Sequence, residues 1–102
     1  MYKKIILATA FSLMASVAFA ADGASLFVSK GCIACHGAGG AAPIIGSYPK
    51  LAGQNAAYLV TQMKDIKSGA RSNGLTAVMK PIIAGVSDNE INAIAHYLSS
   101  KK

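Results

Sequence analysis

Tryptophan is absent from this chain of 102 residues, and cysteine, proline and acid are scarce, at two, three and four residues. Two cysteines cannot build a disulfide framework. A bridge between Cys32 and Cys35 would close a loop too small to restrict much of the unfolded chain. Four acids against ten Lys and Arg leave a net charge of +6. The charges are dispersed, so neither an acidic tail nor a basic nucleic-acid patch is present. Period-two alternation is missing, and poor strand signals leave an all-α class. No internal repeat or linker divides the chain, which is long enough for one domain.

What is present begins with a short basic head, Met1 to Lys4, and an apolar run from Ile5 to Phe19 broken only by Thr9, Ser12 and Ser16. The run closes on Ala18-Phe19-Ala20, a small-x-small pattern that a signal peptidase accepts. Its length, about 15 apolar residues, falls short of the roughly 20 needed to span a bilayer. The expectation is therefore an export leader over residues 1–20, cleaved after Ala20, with residues 21–102 as one periplasmic domain. No later segment is long and apolar enough for a membrane span. Without Lys3 and Lys4 the net charge falls to +4, a modest positive surface suited to steering towards acidic partners. A domain of eighty-odd residues has a marginal core, which favours a bound cofactor as a staple.

Three helical segments stand out. The first runs from about Gly23 to Gly31, with Leu26 and Phe27 as its large apolar residues. The second has Asn55 as its N-cap, apolar positions at Tyr58, Leu59, Met63 and Ile66, and Gly69 to end it. The third opens on a capping box, Ser87 with Glu90 three residues on, followed by the stripe Ile91, Ile94, Ala95, Leu98. Pro43, Gly46 and Pro49 mark 41–51 as irregular loop. Gly74, Pro81 and Gly85 mark 70–86 as mainly loop.

The strongest chemical signal is Cys32-Ile33-Ala34-Cys35-His36. Two thiols at this spacing can add across the two vinyl groups of a haem, and the following imidazole can reach the iron from the proximal side. The blander readings fit less well. A dithiol redox pair belongs in a βαβ setting, for which there are no strands. A structural zinc site needs four ligands, and beyond this cluster only His96 remains.

The run from Leu26 to Gly37 around this motif resembles the opening of bacterial class I c-type cytochromes. Tyr48-Pro49-Lys50-Leu51-Ala52-Gly53-Gln54, Tyr58-Leu59, the run Asp65 to Arg71, and the closing Ser87 to Glu90 and Ala95 to Leu98 resemble one half of the two-haem c4-type cytochromes. The resemblance covers nearly all of residues 21–102 and implies a small class I cytochrome c fold, about three main helices around one covalently bound haem c. It implies Met79, in the segment before the last helix, as the sixth iron ligand, against Met63 and His96. Met63 lies on an apolar helix face where methionine is commonly core filling, and His96 is commonly a partly exposed helical histidine.

The resemblance further implies that a proline carbonyl receives the ring N–H of His36, with Pro43 the best match and Pro49 the fallback. It places Gly23 and Phe27 against Tyr97 where the first and last helices cross, and Tyr48, Leu51, Tyr58 and Leu59 on the haem wall. Lys30, Lys50 and Lys80 are expected around the exposed haem edge. The implied function is a periplasmic one-electron carrier cycling Fe(III) and Fe(II), meeting redox proteins in transient complexes, with no catalytic residues and no nucleic acid. The alternative is a haem-bearing subunit of a flavocytochrome- or oxidase-type complex.

Overall fold

In the computed structural model residues 23–101 are described, so the expected leader over residues 1–20 lies outside the described residues. Five helices follow one another there. They are α1 over 23–29, α2 over Cys32–His36, α3 over Ala56–Ser68, α4 over Thr76–Ile83 and α5 over Asp88–Ser99, with a 3-10 turn at Ala38–Gly40. The all-α class holds, with no strand among the described residues. None of the described helices is long and apolar enough to cross a membrane.

The helix ends follow local chemistry. The Asn55 side chain accepts the amide of Tyr58 at 3.0 Å, and Gly69 closes α3 by donating to the carbonyls of Asp65 and Ile66. At α5 the capping box is complete. The Ser87 amide donates to Glu90 Oε1 at 2.9 Å, and the Glu90 amide donates to Ser87 Oγ at 3.2 Å. Leu59, Met63 and Ile66 form the buried stripe of α3, and Ile91, Ile94, Ala95 and Leu98 that of α5. The two stripes pack on each other with Phe27, Ile83 and Val86 to make one core.

Helix α1 crosses α5 closely, as expected. A Cβ on Gly23 would collide with the Ala93 carbonyl oxygen and lie 2.8 Å from Tyr97 Cβ. The rings of Phe27 and Tyr97 meet at 5.8 Å between centroids, tilted by 50°.

The 70–86 stretch departs from the sequence expectation, because its middle is helical. Pro81 sits inside α4 and removes one N–H from the ladder. In an eight-residue helix that loss is a single bond, and burial of Ile83 and Val86 offsets it. The described chain therefore carries four helices of seven residues or more, where three main ones were expected. Residues 41–51 are irregular, as expected. Ile44 N donates to Cys35 O at 3.0 Å and Leu51 N to Gly40 O at 2.8 Å, which ties this loop to α2 and the 3-10 turn.

Candidate functional site

One turn of helix, α2, brings the three motif side chains together. Cys32 and Cys35 are three positions apart and His36 is four from Cys32, so all three share a face. Both thiols are free and partly buried. Burial pushes the Cys32 thiol up, and the neighbouring Cys35 adds to the rise. That is the reverse of the lowered thiolate that a dithiol redox motif needs.

His36 is buried, and its Nδ1 lies 3.0 Å from the carbonyl oxygen of Pro49. A carbonyl can only accept, so Nδ1 carries the proton and Nε2 keeps its lone pair for a metal. The acceptor is thus Pro49, and the expectation of Pro43 is corrected. The bond from Ile44 N to Cys35 O holds the Pro43 end of the loop at the C-terminus of α2. The chain reaches the imidazole only after the turn closed by Tyr48 N and Ile45 O at 3.1 Å. The Tyr48 ring then packs against the His36 ring, 6.2 Å between centroids at 44°.

Beside α2 opens a cavity of about 360 Å³. Cys32, Cys35 and His36 line it, with Tyr48, Pro49 and Leu51 from the loop, Leu59, Met63 and Ile66 from α3, Met79 and Ile83 from α4, and Ile94 and Leu98 from α5. Three of the four expected wall residues are therefore in place. Tyr58 is the exception: it is 55% exposed and outside the lining, because Leu59 one residue on takes the inward face of α3.

Of the three candidates for a sixth ligand, Met63 and Met79 both line the cavity, Met63 as part of the buried core and Met79 partly buried on α4. His96 is on the exposed side of α5 and does not line it. Sequence reasoning missed Arg71 as a lining residue; its Nη1 donates to Gln62 Oε1 at 3.3 Å. The available signal was its place just past the cap of α3, where its amide returns to Asp65 O at 3.0 Å. Lys30 is not a free member of a ring around the cavity mouth. Its Nζ donates to Gly85 O at 3.2 Å and pairs with Glu90 at 3.5 Å. Lys50 and Lys80 are exposed, beside Pro49 and Met79.

An apolar cavity of this size is within the range of small-molecule cofactor sites. At its base are two unbridged thiols and an imidazole whose outer N–H is fixed, the donor set for a thioether-linked haem. The described residues fit that group. The family model for cytochrome c matches residues 20–102.

The chain belongs to the cytochrome c family. It carries one covalently bound haem c, and its class of activity is electron transport through that haem. A similar curated protein is cytochrome c-554(548) of Halomonas halodenitrificans, 45% identical over 73 residues, which are 70% of this chain and 84% of that protein. Another is the thiosulfate dehydrogenase electron acceptor of Stutzerimonas stutzeri, 38% identical over 95 residues, 86% of this chain but 43% of that one. The fold is similar to reduced recombinant cytochrome c4 from Pseudomonas stutzeri, with a TM-score of 0.71 and 33% identity over 83% of this chain and 49% of that structure. The cytochrome thus spans most of the first relative and about half or less of the other two, corresponding to one half of the dihaem c4 type.

Proposed function

We propose that this cytochrome is a periplasmic one-electron carrier with no substrate chemistry of its own, exported by a leader that ends at Ala20. The observation that carries the reading is the buried His36, its outer N–H held by Pro49, at the base of an apolar cavity that Met79 also lines. When bound, the haem supplies the Fe(III)/Fe(II) couple. Cys32 and Cys35 hold it through thioether links, which do not dissociate in dilute surroundings.

His36 Nε2 would bind the iron, with the Pro49 carbonyl fixing the ring and raising its basicity. The Met79 sulfur would be the second protein donor, soft and neutral, which favours ferrous iron and so raises the potential. Leu59, Ile83, Ile94 and Leu98 keep water away. Their packing into one core would give the haem rigid surroundings, which limits reorganisation. The apolar leader and a family match that starts at residue 20 support export.

One experiment tests the reading: mass and absorption of the protein matured in a host that attaches haem. The expected mass is that of residues 21–102 plus one haem, with the red-region band of Met-ligated ferric iron. A mass without haem, or a ferric spectrum lacking that band, refutes it.

A second reading is a haem subunit fixed in a larger redox complex, and one similar protein is named for its part beside an enzyme. The relative named as an electron acceptor of thiosulfate dehydrogenase gives this reading an enzyme class to try. Co-purification of a stoichiometric partner from the native source would favour it over the free carrier.

A further inference from the structure

We propose that Lys30 and Lys67 clamp the turn between α4 and α5 from two sides, and that this clamp is a positioning device that keeps Met79 at the haem iron. The inference rests on the reading of Met79 as sixth ligand. Lys67, in the last turn of α3, donates from Nζ to the Val86 carbonyl at 2.5 Å. Lys30, two residues ahead of Cys32, donates from Nζ to the Gly85 carbonyl at 3.2 Å. Two ammonium groups from separate elements therefore grip adjacent carbonyls of one turn.

That turn controls α4, which is weakly held on its own. It has eight residues, no side-chain cap at its start, and Pro81 in its interior; a helix this short has little stability in isolation. Its cap residue Leu75 and its side chains Val78 and Ile82 line the cavity and are not buried against the other helices. Within it only Thr76 at the start and Ile83 at the end are buried; the apolar anchors are Ile83 and, just past the helix, Val86, and that end is where the lysines act. Cations are favourable there, because the carbonyls after a helix end carry partial negative charge. Hydrogen bonds from a charged donor are about twice as strong as neutral ones. Lys30 also pairs with Glu90 Oε2 at 3.5 Å, while Oε1 of the same carboxylate closes the α5 capping box. The segment leading into the haem-attachment turn is thus joined to both flanks of the α4–α5 turn.

A thioether is a weak donor, and its hold on iron depends on delivery to the right place by a rigid support. Loosening the turn increases the fraction of molecules in which Met79 is away from iron. An added ligand then binds with an affinity that rises in proportion to that fraction.

The test uses ferric holoprotein and imidazole, followed by loss of the red-region band. The variants are Lys67→Met, Lys30→Met and the double, which keep most of each apolar stem and remove the charge. Asn55→Ala, which removes the distant cap of α3, is the control for general destabilisation. Met79→Ala is the reference for an open iron. The expected result is imidazole binding about tenfold tighter in Lys67→Met, a smaller gain in Lys30→Met and a larger one in the double, with wild-type affinity in Asn55→Ala.

Unchanged affinity in Lys67→Met, with tight binding in Met79→Ala, overturns the clamp alone. An equal gain in Asn55→Ala also overturns it, because the effect would then track stability and not position. Wild-type affinity and an intact band in Met79→Ala overturn the ligand reading, and the clamp with it. If the double variant fails to mature, Lys30→Met alone decides: it supports the clamp with a gain of about threefold and overturns it with none.

Discussion

Replacing Gly37 by alanine should damage this protein far more than the loss of one hydrogen atom suggests. Gly37 follows His36 directly and adopts φ 79°, ψ 173°. That region is open almost solely to glycine and costs a side-chain-bearing residue on the order of 1–3 kcal/mol. A Cβ there would also collide with the Ala42 carbonyl oxygen and sit 2.6 Å from Ala42 C. Those atoms are backbone and cannot swing aside. The loop that carries them is fixed by Ile44 N to Cys35 O and Leu51 N to Gly40 O.

Relief therefore requires breaking one of those bonds or moving His36 away from Pro49. Strain plus one lost hydrogen bond gives about 3 kcal/mol or more, a large share of the about 5–15 kcal/mol typical of a domain. The assay is denaturant unfolding of the ferric holoprotein. The matched control is Gly46→Ala in the same loop, where a Cβ meets nothing within 4 Å and φ is not positive. That change should stay within about 0.5 kcal/mol of wild type or stabilise slightly. If Gly37→Ala costs less than about 1 kcal/mol, or no more than Gly46→Ala, the rigid-loop reasoning is wrong.

Further outcomes are expected elsewhere. Met79→Ala should abolish the red-region ferric band and lower the reduction potential on the order of 0.1 V, within the roughly 0.8 V that axial ligation spans; spectroelectrochemistry reads both. Leu59→Ala, buried on the cavity wall, should cost about 2–5 kcal/mol of unfolding free energy, while Tyr58→Ala next to it should cost about 0.5 kcal/mol or less. The Ser87 amide hydrogen bond, with help from the Ser87 hydroxyl and Lys30, lowers the Glu90 carboxyl below the usual carboxylate range. A lowered folded value means its contribution is full above the unfolded value and lost as pH falls through the folded one. The stability gap between wild type and Glu90→Gln, measured by thermal melts, should accordingly be present at neutral pH and close on acidification.

The parts of the fold that were legible in the sequence are those written in consecutive residues. Asn55 and Gly69 bound α3, and Ser87 with Glu90 opens α5, because caps are bonds between groups three or four positions apart. Helix α4 was hidden for the same reason. Gly74, Pro81 and Gly85 are local signs of loop, and what overrides them is burial of Ile83 and Val86 against other elements. Lys30 beside the haem motif reads as a solvated charge until the fold brings Gly85 and Glu90 to it from 55 and 60 positions away.

By itself the sequence determined the covalent chemistry. Cys32, Cys35 and His36 share a face wherever that pentapeptide turns helically, since the spacing alone dictates it. Only the tertiary structure decided what surrounds the face. It chose Pro49 over Pro43 as the acceptor for His36, since a hydrogen bond depends on where a loop passes and not on how many residues it counts. It gave the inward position to Leu59 over Tyr58, and it brought Met79 and Arg71 to one cavity from segments whose own patterns do not place them there. These are distances between remote parts of the chain, and packing sets them.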